Sequence, residues 1–192
     1  MGKGVNKMKV FLIHGAYGNP NENWIPWLEK NLEKLGCAVF APEFPTPEGQ
    51  TLENWMSVFE EYLNLVGSDT IVVGHSLGPA FILAVLEKIE EPIRAAFFIA
   101  PFIDSLDNPD FDKINKTFID RKFDWDKIKK NCGKFVVFHS DNDPYVPLEK
   151  AEKIAENLGV EVIVVKKAGH FNEKSGYKKF EMLLEKIKEE IQ

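Results

Sequence analysis

A doubly wound, three-layer α/β domain built on a mainly parallel sheet is the fold class this chain predicts. Short apolar runs rich in Val, Ile and Phe alternate along it with longer runs whose apolar residues recur at helical spacing. The short runs are nearly continuous in apolarity, as expected of strands covered on both faces of a parallel sheet. With 192 residues, 44% of them hydrophobic and 28% charged, the chain is expected to form one domain over 1–192 with a full core.

The first strand is expected over Lys9–His14. A helix over Trp24–Leu35 follows, with Trp24, Trp27, Leu28, Leu32 and Leu35 on one face and Gly36 closing it. Its Pro26 is tolerated because it falls in the first turn. The second strand is Cys37–Ala41. Thr51 is placed to cap a second helix whose stripe is Trp55, Phe59, Tyr62 and Leu65/Val66. The third strand, Thr70–His75, leads into a helix over Phe81–Ile89. Ala95–Ala100 and Phe135–His139 are the fourth and fifth strands, and the segment Phe102–Phe123 between them reads as a long irregular piece. Loops of that length are usually functional or disordered, and its aromatic content argues against disorder. A helix over Leu148–Leu158, a strand over Val160–Val165 and a helix over Tyr177–Ile191 complete the set.

Composition narrows the function. A net charge of −6 argues against a nucleic-acid partner, which needs a basic face. Lysines interleave with glutamates, as at Glu29-Lys30 and Glu185–Glu190, and read as a solvated surface. The start, Met1–Lys9, is polar and basic, and no targeting segment is expected. The longest apolar run, Ala95–Ile103, is broken by Pro101 and falls far short of the ~20 residues of a membrane span. Cys37 and Cys132 lack metal spacing or a CxxC partner, and a reducing cytoplasm fits them best.

Chemistry is expected at the carboxyl ends of the strands, where ligands bind in open parallel sheets. After the third strand stands Gly74-His75-Ser76-Leu77-Gly78, a serine between two glycines at a strand-to-helix corner. Such a turn lifts the serine oxygen clear of the core, and glycine lets the neighbouring backbone pass. The plain alternative is an ordinary glycine-rich turn, but a strand before and a helix after are the context a nucleophile needs. Ser140-Asp141-Asn142-Asp143-Pro144 follows the fifth strand, and Gly169-His170-Phe171 follows the sixth. Ser76, Asp143 and His170 therefore arrive at one sheet edge in the order nucleophile, acid, histidine. A serine hydroxyl needs a neutral imidazole to take its proton, and the imidazole needs a carboxylate to orient it. Donors for the developing oxyanion are expected from the N–H of Leu77 and, in the loop His14–Pro20, from Ala16.

Asp141 competes with Asp143 for the acid's place, and either could be a turn residue bonding its own backbone. Asp143 is preferred because Asp143-Pro144-Tyr145-Val146-Pro147 matches a D-x-x-V-P loop common in α/β hydrolases; Asp141 is then a loop-shaping residue. Among the other histidines, His14 borders the oxyanion loop, His75 packs or bonds locally, and His139 reads as a satisfied core residue. No metal site is expected, since no pair has i, i+4 spacing or a matching carboxylate motif. No G-x-G-x-x-G or P-loop is present, and no cofactor is expected.

The chain resembles the family of small serine hydrolases typified by retinoblastoma-binding protein 9. The similar pieces are Phe123–Lys129, Asn131-Cys132, Ser140–Pro147 and Gly169–Phe171, together with the Trp24…Trp27 helix and the Gly74-His75-Ser76 corner. The resemblance implies an α/β-hydrolase fold with six strands in the order 2-1-3-4-5-6, no large cap domain, and Ser76, Asp143 and His170 as the triad positions. In that strand order four spacings of ~4.8 Å hold Cys37 and Cys132 roughly 19 Å apart, too far for a disulfide. A retinoblastoma-binding role is not carried over.

The leading expectation is a serine hydrolase acting on a small acyl ester or amide, with a small-molecule acyl substrate as its partner. The rival is a non-catalytic protein-binding module on the same fold. Candidate pocket residues are His14, Tyr17, Phe102, Phe111, Phe118 and Phe171. The segment Phe102–Phe123 is expected either to lie over the site as a lid or to plug the end of the sheet.

Overall fold

The computed structural model describes residues 7–191; Met1–Asn6 and Gln192, part of the expected domain and of its basic start, lie outside the described residues. Six strands form one parallel sheet: β1 (Lys9–Ile13), β2 (Ala38–Phe40), β3 (Thr70–His75), β4 (Ala95–Ile99), β5 (Phe135–Ser140) and β6 (Val162–Val165). Their order is β2-β1-β3-β4-β5-β6, as the resemblance implies. Every residue of the central strands β3, β4 and β5 is buried, whereas the edge strands β2 and β6 are only partly covered. That gradient explains why the central runs read as unbroken apolar stretches.

Helices cover both faces. On one face α1 (Ile25–Lys34) and α7 (Glu181–Ile191) bury Leu28, Leu32, Leu183 and Ile187 with Trp24 and Phe180 against Val10, Leu12, Val73 and Phe97. On the other face lie α2 (Leu52–Phe59), α3 (Gly78–Leu86), α4 (Pro109–Ile119), α5 (Trp125–Lys130) and α6 (Leu148–Leu158). Their core includes Trp55, Phe59, Phe81, Phe118, Ile128 and Ile154, packed on Phe11, Val72 and Phe98. Alternation of strand and helix around a right-handed parallel sheet leaves both faces of each strand dry, and burial of these large apolar side chains is the main stabilising term.

Several boundaries differ from the sequence expectation for local reasons. Thr51 does cap α2, its Oγ1 accepting from the Asn54 N–H at 3.1 Å, but the helix tightens to a 3₁₀ segment over Glu60–Leu65. The C-terminal helix begins at Glu181 rather than Tyr177, because Asn172 and Gly176 first close a short 3₁₀ turn over Glu173–Ser175. The larger correction concerns Phe102–Phe123. It is not irregular: α4 occupies Pro109–Ile119, with Asn108 as N-cap, Pro109 in the first turn, and Asp110 and Asp112 near the positive end of the helix. Asp112 also accepts from Ser105 Oγ and from the N–H groups of Leu106 and Asn108, which ties down the loop before the helix. α5 was likewise unexpected; the Asp124 side chain caps it by accepting from the Lys127 N–H.

The register sets the site. Ile13 pairs with Gly74, His75 with Ile99, and Ser140 with Val165, so the carboxyl ends of β1, β3, β4, β5 and β6 finish along one edge. Among the described residues no helix is long and apolar enough to cross a membrane.

Candidate active site

Ser76 sits where β3 gives way to α3, at φ 58, a left-handed conformation that serine seldom adopts. Its N–H donates to the Ile99 carbonyl at 2.8 Å, which pins the corner to β4. The flanking glycines are sterically required. A Cβ on Gly78 would stand 2.7 Å from the Ile13 carbonyl oxygen, and one on Gly74 would stand 2.8 Å from the Pro79 nitrogen. Strain of this kind persists only where the surroundings enforce it, and it clusters at functional sites.

The loop after β1 lies directly beside the serine. A Cβ on Gly15 would come within 2.8 Å of Ser76 Cβ and 3.4 Å of Ser76 Oγ. The Gly18 N–H donates to the Gly15 carbonyl at 3.2 Å, closing a turn around Ala16 and Tyr17. Leu77 follows Ser76 in the chain and Ala16 follows Gly15, and among the described residues neither amide donates to a backbone carbonyl in a turn, loop or cap.

His170 reaches the same cleft from the loop after β6. Its Nδ1 lies 2.7 Å from Asp143 Oδ2. Asp143 Oδ1 in turn accepts from the N–H groups of Tyr145 at 2.9 Å and Val146 at 3.0 Å. Burial pushes the Asp143 pKa up, but the bond and charge of His170 and those two amides outweigh it and hold the carboxyl below its ordinary value. The imidazole packs between His75, with ring centroids 4.8 Å apart, and Tyr145, at 5.2 Å. Ser76 and His170 line one cleft, although among the described residues no hydrogen bond joins the serine hydroxyl to the ring. Such contacts are often long in a free enzyme and tighten around a substrate.

Four consecutive side chains hold the histidine loop. Ser140 Oγ accepts from the Ala168 N–H at 2.9 Å, Asp141 Oδ1 from Lys167 at 2.7 Å, and Asn142 Oδ1 from Gly169 at 2.8 Å, while Asp143 takes His170 itself. The tight backbone they support has positive φ at Lys167, Gly169 and Phe171. Asp141 is thus loop-shaping, as expected, and it does not touch His170. Ser140 and Asn142 were missed; the run of four small polar residues after a buried strand was the available signal.

Of the other histidines, His75 lends Nε2 to the His170 carbonyl at 2.8 Å. His14 is fully engaged: its Nε2 accepts from the Phe44 N–H at 2.9 Å and its Nδ1 faces the Gly15 carbonyl at 2.8 Å. His139 is buried as expected, but it is not satisfied, because its Nε2 has no partner among the described residues. Among those residues, too, no group of three His, Cys, Asp or Glu side chains is placed to share a metal ion.

The cleft has a volume of about 820 Å³. His14, Tyr17 and Phe111 line it as anticipated, joined by Leu106, Tyr145 and Val146. Phe102, Phe118 and Phe171 do not. Phe118 packs edge-on against Trp55, Phe171 stacks on Phe180, and Phe102 is wholly buried in the core beneath α4. Position along the helix accounts for the difference: Phe111 and Phe118, seven residues apart, share a face of α4, but Phe111 in the first turn meets Tyr17 while Phe118, two turns on, is buried in the interior.

A six-stranded parallel sheet wound in this order, with a strained serine corner between its third strand and the following helix, defines an α/β hydrolase fold. The chain belongs to the serine hydrolase family, whose model matches residues 10–189, and it is an enzyme of the hydrolase class. It is 28% identical to YdeN of Bacillus subtilis (strain 168) over 171 residues, 88% of each chain. It is 25% identical to serine hydrolase RBBP9 of Rattus norvegicus over 166 residues, covering 85% of this chain and 87% of that one. The crystal structure of the B. subtilis ydeN gene product superposes with a TM-score of 0.89 at 25% identity, over 95% of this chain and 98% of the other. Est1E from Butyrivibrio proteoclasticus shares the fold at a TM-score of 0.70 and 17% identity, over 95% of this chain and 86% of the other.

Proposed function

We propose that this hydrolase cleaves small acyl esters through a covalent acyl-enzyme, with Ser76 as nucleophile, His170 as general base and acid, and Asp143 as the carboxylate that orients it. Ser76 Oγ attacks the ester carbonyl carbon while its proton passes to His170 Nε2. The carbonyl π pair moves onto oxygen, where the N–H groups of Ala16 and Leu77 receive the negative charge. Collapse of this intermediate breaks the bond to the leaving alkoxide, which takes the proton from His170. Water then repeats the sequence on the acyl-serine and releases the acid. Asp143 stays ionised throughout and stabilises the imidazolium.

The observation that carries this reading is the 2.7 Å contact of His170 Nδ1, in the cleft that holds Ser76, with the buried carboxylate of Asp143 behind it. An acceptor on Nδ1 fixes the hydrogen there and leaves Nε2 free to act as base.

Turnover of p-nitrophenyl esters by single variants tests it. Ser76→Ala and His170→Ala are expected to lose several orders of magnitude in kcat, with the double variant no slower than the worse single one. Asp143→Asn should lose roughly 10⁴-fold, as a wrong tautomer does. Asp141→Asn should retain most activity; an inactive Asp141→Asn beside a near-normal Asp143→Asn would reverse the assignment.

A further inference from the structure

The turn that carries the Ala16 amide has one internal backbone bond, from the Gly18 N–H to the Gly15 carbonyl. Tyr17 has φ 58, strained for a bulky residue, and its side chain is about half exposed at 54%. The bond that holds the Tyr17 backbone comes from elsewhere in the chain. The Tyr17 N–H donates to Thr46 Oγ1 at 2.7 Å. The Thr46 hydroxyl bonds in turn to Gln50 Oε1, and Gln50 Nε2 donates to Asn115 Oδ1 at 2.7 Å and to the Ile114 carbonyl at 3.2 Å. Asn115 and Ile114 belong to α4. Gln50 and Asn115 are buried, at 5% and 0% exposure, so this is an interior chain of polar groups rather than a surface contact.

Both ends of the chain fix its direction. The Tyr17 amide can only donate and the Ile114 carbonyl can only accept. The Thr46 hydrogen must therefore point at Gln50 Oε1, and the Gln50 amide nitrogen must face α4. Each link has one orientation, and both polar atoms of the Gln50 side chain are used, while Asn115 Nδ2 has no partner among the described residues. A network of that kind holds a single geometry, because any slip leaves a buried group without a partner. The segment between β2 and α2 is braced around it as well: Phe44 N–H reaches His14 Nε2, Trp55 Nε1 donates to the Pro45 carbonyl, and Leu52 N–H donates to Thr117 Oγ1 on α4.

We propose that Thr46, set by Gln50 and Asn115, is the positioning residue for the oxyanion-binding turn: it clamps Tyr17 so that the preceding Ala16 amide points at Ser76. This rests on the reading of Ser76 as nucleophile. The clamp touches no substrate, so its loss should leave ground-state binding nearly intact. It should weaken only the state in which the carbonyl oxygen carries charge. Removing one preorganised oxyanion donor lowers kcat by about 10²–10³-fold, and loosening one should cost part of that range.

The test compares Thr46→Val, Thr46→Ser and Gln50→Leu in the full chain, with p-nitrophenyl butyrate as substrate and a trifluoromethyl ketone as mimic of the tetrahedral intermediate. Thr46→Val is expected to lower kcat by roughly ten- to a hundredfold with little change in KM, and to weaken the ketone by the same factor as kcat/KM. Thr46→Ser, which keeps the hydroxyl, should restore both, and Gln50→Leu should behave as a milder Thr46→Val. Unchanged kcat in Thr46→Val, or a loss that Thr46→Ser fails to recover, overturns the proposal. Equal loss of substrate and ketone affinity does so too. Ser76→Ala, measured alongside, separates the two readings: if it stays active the triad itself is wrong, and if it is inactive while Thr46→Val is normal, only the clamp is wrong.

Discussion

In the proposed mechanism His170 is the one histidine in the cleft whose role requires a change of charge. Burial pushes the pKa of His14 and His139 down, and burial together with the adjacent His170 pushes His75 down to about 3. Each of the three therefore favours the neutral imidazole more than a free histidine does. A histidine base must be unprotonated to accept the serine proton, so kcat/KM is expected to fall as pH is lowered. A histidine base therefore predicts an acid limb between about pH 5 and 8. A profile flat over that interval would remove histidine from the mechanism. Asp143 titrates below its ordinary range and so remains the carboxylate through the same interval. At this scale the sequence was legible where a residue type has one chemical use, as with Ser76 and His170. It was less so where the partner decides. Asp141 and Asp143 differ only in whether the backbone of Lys167 or the ring of His170 meets them, and Thr46 looks like any loop threonine until the Tyr17 amide is seen against it.

α4 is the element that joins packing to selectivity. Toward its C-terminal end it carries Phe118, wholly buried against Trp55, and Asn115, bonded to Gln50. Its first turn brings Phe111, on the same face, to the cleft, 6.0 Å from the ring of Tyr17. The two expectations for this segment, wall of the site and plug of the sheet, are thus divided between the two ends of a single helix. Phe118→Ala should cost ~3–5 kcal/mol of stability and leave the ranking of p-nitrophenyl esters by chain length unchanged. Phe111→Ala should cost far less stability and flatten the preference among longer acyl groups, each methylene in the pocket being worth at most ~0.8 kcal/mol. A ranking that follows Phe118 rather than Phe111 would show that the helix acts only by packing. The helix itself was overlooked because Asn108-Pro109-Asp110 reads equally as a turn; only the Asn108 side chain bonded to the Phe111 N–H makes it a cap. Strands were easier, since burial on both faces leaves an uninterrupted apolar run.

For the whole molecule, topology is what brings distant residues together. Ser76, Asp143 and His170 follow the third, fifth and sixth strands, and parallel pairing in register delivers all three to one edge. Alternation of strand and helix made that edge legible in advance, whereas the aromatic residues that merely fill the sheet ends could not be told from cleft residues without the packing. The same topology removes competing nucleophiles. Cys37 and Cys132 are buried free thiols, and burial pushes Cys132 up to about 12. A thiol kept protonated is a poor nucleophile, so a serine-directed reagent has one strong target. The central claim is that Ser76 forms a covalent adduct, and a fluorophosphonate probe followed by intact mass and peptide mapping tests it most directly. The native enzyme is expected to gain one adduct, located on Ser76, with Ser76→Ala and His170→Ala unlabelled under the same conditions; a native protein that stays unmodified, or labelling that persists in Ser76→Ala, would contradict it.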